Sequence, residues 1–73
     1  MNSNNTHIVP SFIFDNLLNL FAERMKRNMS LFDIAKVTGI KPYTLRKYEF
    51  GNSRPGKTGY NKLAEIFGWR LWE

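Results

Sequence analysis

The sequence predicts a compact all-α domain of four or five short helices. At 73 residues the chain has room for one small domain. Its apolar content of 42% and aromatic content of 15% suffice for a hydrophobic core. Apolar residues recur three and four positions apart, which is typical of helices, and no segment has the alternation of a half-buried strand. We expect residues 1–10, rich in Asn, Ser and Thr, to form a flexible N-terminal arm and residues 11–73 to form the domain.

The first predicted helix follows Ser11, whose side chain suits a helix N-cap, and runs to about Arg27. Five apolar residues lie three or four positions apart and predict its buried face: Phe14, Leu17, Leu18, Phe21 and Met25. Asn28 is expected to end the helix, because Asn tolerates the left-handed backbone conformation found just after helix C-termini.

A second helix is expected after Ser30, because Ser30 and Asp33 resemble a capping box. Its predicted apolar face consists of Ile34, Ala35 and Val37, and Gly39 is expected to stop it.

The third helix is predicted to begin at Pro42, which needs no backbone donor at the first helical position, and to end at Phe50-Gly51. Leu45 and Tyr48 should face inward. Thr58 is the predicted cap of the fourth helix, which ends at Gly68 and buries Tyr60, Leu63, Ala64 and Phe67. For Trp69 and Trp72 three placements stay open: a short fifth helix against the core, a dimer seam, or a partner site.

Positive charge is concentrated in the middle of the chain. The net charge is +5, and the segment from Arg24 to Lys62 holds ten of the eleven basic residues but only two acidic ones, Asp33 and Glu49. Such a segment attracts a polyanion or a protein with an acidic surface.

The sequence lacks the residues that catalytic, metal-binding and membrane-spanning proteins require. The chain has no cysteine, and its one histidine, His7, lies in the polar arm, so we expect no metal, no cofactor and no enzyme activity. Residues 51–58 read G-N-S-R-P-G-K-T, a formal match to the phosphate-binding loop. That loop needs a strand before it, whereas a helix is predicted there, and Pro55 removes one amide donor. No apolar run exceeds three residues, so no membrane segment is expected.

A set of residues spread over positions 20–68 carries a resemblance to a known family. The matching positions are Arg24, Ser30, Ile34-Ala35, Gly39-Ile40, Leu45, Glu49-x-Gly51, Pro55, Leu63-Ala64 and Phe67-Gly68. In these positions the chain resembles the λ-repressor/Cro-like (XRE-type) helix-turn-helix domains. The resemblance implies a λ-repressor-like DNA-binding fold and a structural ion pair between Arg24 and Glu49. If DNA is bound, it implies contacts from Ser30, Lys36, Lys41, Tyr43, Thr44, Arg46, Lys47, Asn52, Arg54 and Lys57.

The chain departs from this family at positions that ordinarily face DNA. Leu31 replaces the usual phosphate-binding Gln, Phe32 and Phe50 stand where polar residues are common, and Pro42 cannot donate to a base. These departures indicate a face for a protein partner, made of Leu31, Phe32, Pro42, Tyr43, Arg46, Lys47 and Phe50. The alternative is that one or two of these side chains, such as Leu31 or Phe32, turn inward and fill the core.

Small basic helix-turn-helix proteins of this kind resemble the regulators of temperate-phage genetic switches. Within that group, the apolar face is similar to the modulator-of-repression proteins, or antirepressors, which act on the DNA-binding domain of the phage repressor. We therefore expect a repressor-binding modulator in the cytoplasm of a bacterial host, with no membrane or small-molecule partner. The alternative is a Cro-like repressor that binds operator DNA by itself, and a joint complex with repressor and DNA also stays open.

Overall fold

The computed structural model describes residues 8–73, and this part of the chain consists of five α-helices and no strand. The helices are α1 (Ser11–Leu18), α2 (Leu20–Lys26), α3 (Leu31–Thr38), α4 (Pro42–Glu49) and α5 (Lys57–Phe67). The predicted all-α class is confirmed. Most of the predicted arm, including His7, lies outside the described residues. Val9, at the inner end of the predicted arm, is partly buried and packs against the core.

One helix was predicted between residues 11 and 27, and two are found. The backbone N–H of Asn19 donates to the carbonyl of Asn16 at 3.0 Å, which makes a tighter turn than a regular α-helix. Asn has a low helix propensity, and two Asn residues fall in this turn. Ser11 is the first helical residue, and the N-cap is Pro10.

The predicted buried face of this segment is wrong apart from Leu17. The core takes Ile13, Leu17 and Leu20, whereas the predicted set leaves its other four members exposed: Phe14, Leu18, Phe21 and Met25. Phe14, Leu18 and Phe21 each lie one position after a member of the buried set, so helical periodicity fits either face. Packing of this segment under α4 turns the aliphatic set inward.

Local signals place α3 and α4 correctly. The Ser30 hydroxyl accepts a hydrogen bond from the Asp33 backbone N–H at 3.1 Å, and the Asp33 carboxylate accepts one from the Ser30 N–H at 2.8 Å. Gly39 has φ of 78°, the left-handed conformation expected of a residue that ends a helix. Pro42 is the first residue of α4, as predicted. Val37 is exposed and not part of the apolar face.

Helix α5 buries the predicted set Tyr60, Leu63, Ala64 and Phe67 against α3 and the rest of the core. It begins at Lys57 with Gly56 as the N-cap, so Thr58 lies in the first turn and does not cap the helix. The predicted end at Gly68 is confirmed, with φ of 73°.

The residues after Phe67 form no further helix but pack onto the core. The Trp69 ring stacks on Tyr60 with 5.9 Å between centroids, and the Trp72 ring meets Tyr60 edge-on at 6.3 Å. The Asn61 side chain holds the Trp72 backbone through two hydrogen bonds of 2.9 and 2.8 Å. Both tryptophans thus enlarge the core.

Candidate functional site

The surface of α3 and α4 carries three aromatic side chains that the core does not use. The exposed fractions of Phe32, Tyr43 and Phe50 are 69%, 72% and 68%. Helices α3 and α4, of eight residues each, are joined by residues 39–41, and α4 also packs against α1 and α2. The three aromatic side chains therefore project from a helix pair that packs against the rest of the domain.

Leu31, one of the residues predicted on the same face, belongs to the core. It is only 8% exposed. Leu31 lines a shallow cavity of about 380 Å³ together with Phe32, Pro42, Tyr43 and Arg46. The Leu31 side chain offers little exposed surface to this cavity. Leu31 is the first residue of α3 and belongs to the core cluster together with Ile34.

A second cavity, of about 240 Å³, lies between α2 and α4. It is lined by Phe21, Arg24, Leu31, Arg46, Glu49 and Phe50. The ion pair expected between Arg24 and Glu49 is present at its base, with the guanidinium bound to both carboxylate oxygens. Arg24 also donates to the Met29 carbonyl at 3.2 Å and lies over the Phe21 ring. Both charged side chains are largely buried, so the pair is structural.

Four large apolar residues of α1 and α2 are exposed, and they are named here the outer stripe: Phe14, Leu18, Phe21 and Met25. Phe14 and Leu18 line a cavity of about 360 Å³ with Leu17 and residues 51–54. The exposure of the outer stripe was not predicted from the sequence. The available signal was the second apolar set, Ile13, Leu17 and Leu20, which competes with it for the core.

The side chains expected to contact DNA are mostly exposed, but several are engaged by neighbours. Lys47 lies over the Tyr43 ring, with 5.4 Å from Nζ to the ring centroid, and Arg54 lies over Phe14 at the same distance. Lys57 donates to the backbone carbonyl of Glu73 at 2.7 Å. Half-buried Thr44 offers less surface than the exposed members Ser30, Lys36, Lys41, Arg46 and Asn52.

The N-terminus of α3 is already occupied by a carboxylate. The Ser30 backbone N–H, followed by the Ser30 hydroxyl, holds the pKa of the Asp33 carboxyl below its usual range through hydrogen bonds. Asp33 is therefore ionised at neutral pH, and its carboxylate occupies the backbone N–H of Ser30 at this helix end. The negative charge of Asp33 also opposes a second anion beside it.

The segment that resembles a phosphate-binding loop follows helix α4, as the sequence predicts, and not a strand. Within residues 8–73 there is no cluster of three or more Asp, Glu, His or Cys side chains placed to hold a metal ion. The longest helix in this range has 11 residues, and none of those described is long and apolar enough to cross a membrane.

No protein-family model, curated protein or solved structure matches this chain. The function must therefore be inferred from the exposed residues of α1 to α4 and their chemistry.

Proposed function

We propose that this chain is a transcriptional regulator of a temperate-phage genetic switch that binds the phage repressor. In this proposal α3 and α4 are the helix-turn-helix of a λ-repressor-like domain, and their outer face contacts the repressor's DNA-binding domain. The observation that carries the proposal is the exposure of Phe32, Tyr43 and Phe50, each close to 70%, on this face.

The chemistry of the face favours a protein over a nucleic acid as the main partner. Aromatic side chains with arginine beside them are the commonest energetic centres of protein interfaces. Phosphate positioning needs donors at several fixed points, and the Gln expected at the start of α3 is replaced by the apolar, buried Leu31, with the ionised carboxylate of Asp33 nearby. Arg46 lines both cavities on this face and supplies a charged neighbour for the aromatic residues.

The mechanism that follows is occlusion. A repressor whose DNA-binding surface is covered by the Phe32, Tyr43 and Phe50 side chains cannot place that surface in the operator's major groove. Repression is then relieved without this chain contacting DNA. The role of Leu31 in this proposal is indirect: its buried side chain anchors the start of α3 to the core and so supports the aromatic residues.

Operator binding is the second candidate, and it has a specific observation in its favour. Lys36, Lys41 and Arg46 are exposed around the same helix pair, and the segment from Arg24 to Lys62 is strongly basic. Lysine and arginine side chains that neutralise phosphates make binding fall steeply with salt. A Cro-like repressor, alone or joined to the phage repressor on DNA, would use these residues.

A gel mobility shift experiment with the repressor encoded next to this chain separates the two candidates. Release of operator DNA from the repressor, with no new shifted band, is the result expected of occlusion. A sequence-specific, strongly salt-sensitive band from this chain alone would replace the occlusion proposal with operator binding. Phe50→Asn is the matched variant, since it removes an exposed aromatic side chain and should abolish the release while leaving the fold unchanged.

A further inference from the structure

We infer that Arg46 of α4 binds a carboxylate of the repressor and thereby selects the repressor with which this chain associates. This inference rests on the proposed function and names the chemistry that the partner must bring to the outer face of α3 and α4. The partner surface would carry one Asp or Glu side chain among apolar side chains that enter the two cavities lined by Arg46.

Arg46 borders both cavities of this face. The larger cavity, of about 380 Å³, has Phe32, Pro42 and Tyr43 in its wall. The smaller cavity, of about 240 Å³, has Phe50 in its wall. The Arg46 side chain is exposed in the free chain. A partner that fills both cavities therefore also covers the Arg46 guanidinium and removes water from it.

The described part of the chain supplies no counter-charge for Arg46. Two arginines line the cavities, Arg24 and Arg46. The guanidinium of Arg24 is bound to both carboxylate oxygens of Glu49, so that pair is satisfied. Within residues 8–73 no carboxylate lies within ion-pair distance of Arg46, and residues 1–7 contain no Asp or Glu.

Covering an unpaired guanidinium is unfavourable. A charge that is removed from water needs a counter-charge within hydrogen-bond distance, because otherwise the loss of hydration is not offset. The proposed partner makes this requirement stronger, since a surface that meets operator DNA is rich in lysine and arginine. Those side chains repel Arg46. The repressor can therefore bind this face tightly only if it places an acidic group opposite Arg46.

The surroundings of Arg46 suit a carboxylate better than a DNA phosphate. An arginine fork binds either group through two parallel hydrogen bonds. A DNA strand, however, brings one phosphate with every nucleotide, and the exposed Phe32 and Phe50 side chains beside Arg46 offer these phosphates no donor. A protein surface can present a single carboxylate between apolar side chains, which matches one guanidinium between two cavities with aromatic walls.

This pairing makes Arg46 a determinant of specificity. The aromatic side chains of the face accept many apolar surfaces, whereas a covered arginine disfavours every surface that lacks a carboxylate at this point. A repressor with lysine or arginine in that place is rejected by like-charge repulsion.

The test measures binding to the purified DNA-binding domain of the adjacent phage repressor by surface plasmon resonance. Arg46→Gln removes the charge, and Phe50→Asn reports on the face as a whole. Lys36→Gln is the matched control, because Lys36 is also exposed and carries the same charge on the same helix pair but lines neither cavity. Thermal unfolding verifies the fold of each variant.

The repressor side of the contact is then located by double-mutant cycles. Each Asp and Glu of the repressor domain is changed singly to Asn or Gln and measured against the parent chain and against Arg46→Gln. Two groups that bind each other give a coupled loss, whereas separate groups give additive losses.

We expect Arg46→Gln to weaken binding about 30-fold or more, mainly through faster dissociation, and Lys36→Gln to change it by less than about threefold. One amide variant of the repressor should weaken binding of the parent by a similar factor and leave binding of Arg46→Gln unchanged. All melting temperatures should stay at the parental value, because Arg46 and Lys36 are exposed.

Each contrary result has its own meaning. If Arg46→Gln binds like the parent while Phe50→Asn does not, the inference is wrong and the proposed function stands. If Arg46→Gln weakens binding but no repressor variant is coupled to it, the partner group is not a carboxylate and the inference is wrong. A parent chain that does not bind the repressor domain would overturn the proposed function and the inference with it, and operator DNA bound through Arg46 would then assign this residue to a phosphate or a base.

Discussion

Leu31 and Phe32 are adjacent in sequence, yet the structure assigns them opposite roles that mutation can separate. Leu31 is 8% exposed and belongs to the core, whereas Phe32 is 69% exposed and lies outside the core. Leu31→Ala should therefore cost stability and Phe32→Ala should cost binding. Each substitution serves as the control for the other.

The expected stability loss can be worked out from burial. Truncating a buried Leu to Ala costs about 2–5 kcal/mol, and the lower part of this range, about 2–3 kcal/mol, applies because Leu31 lies under an open cavity that neighbours can partly fill. In a domain of this size each kcal/mol shifts the melting temperature by about 4–8 °C. Leu31→Ala should thus melt roughly 10–20 °C below the parent. Phe32→Ala should change the free energy of unfolding by no more than about 0.5 kcal/mol.

Thermal unfolding followed by circular dichroism, together with calorimetric binding to the repressor domain, measures both effects. Under the proposed function, Phe32→Ala weakens repressor binding about tenfold or more. An equal fall in melting temperature for the two variants would show that the burial of α3 has been assigned incorrectly. A Phe32→Ala variant with parental affinity would remove Phe32 from the binding face.

Three further predictions follow from the local geometry. Arg24→Leu leaves the buried Glu49 carboxylate unpaired and should lower the free energy of unfolding by about 3 kcal/mol in urea denaturation, while adding Glu49→Leu recovers most of the loss. A loss below about 1 kcal/mol in the single variant would contradict a structural role for the pair. Gly39→Ala places a side chain at φ of 78° and should cost about 1 kcal/mol, with Gly39→Asn less harmful; equal costs would rule out backbone strain as the cause. The lowered pKa of Asp33 means that its contribution to stability is complete above 3.8, its ordinary value, and is lost as the pH falls through the folded-state value below it. The parent should therefore lose more stability than Asp33→Asn between about pH 5 and pH 2, and parallel pH profiles would contradict this assignment.

Features fixed by short-range chemistry could be predicted from the sequence. The capping box of Ser30 and Asp33, the left-handed Gly39 and the proline at the start of α4 each depend on residues within four positions of one another. The buried set of α5 was also predictable, because that helix has one apolar face only. Arg24 and Glu49 are 25 residues apart in sequence, and their ion pair was predicted from the family resemblance and not from residue spacing.

Features that depend on tertiary packing could not be predicted. The segment of α1 and α2 has two apolar faces displaced by one residue, and only the position of α4 determines which face is buried. The burial of Leu31 under the aromatic residues depends on the same packing. The packing of Trp72 depends on its two backbone hydrogen bonds with the Asn61 side chain, a contact across eleven positions with no signature in the local sequence.

The distribution of aromatic residues links the fold to the proposed partner. The interior is built mainly from aliphatic side chains with Tyr60 and Phe67, so the domain closes its core without Phe14, Phe21, Phe32 or Phe50. Exposed phenylalanines add no stability to the isolated chain and favour self-association. The cations around them oppose self-association through repulsion between identical molecules. A partner that offers apolar surface and tolerates these cations buries the exposed aromatic residues, so its binding depends on shape and apolar contact more than on net charge.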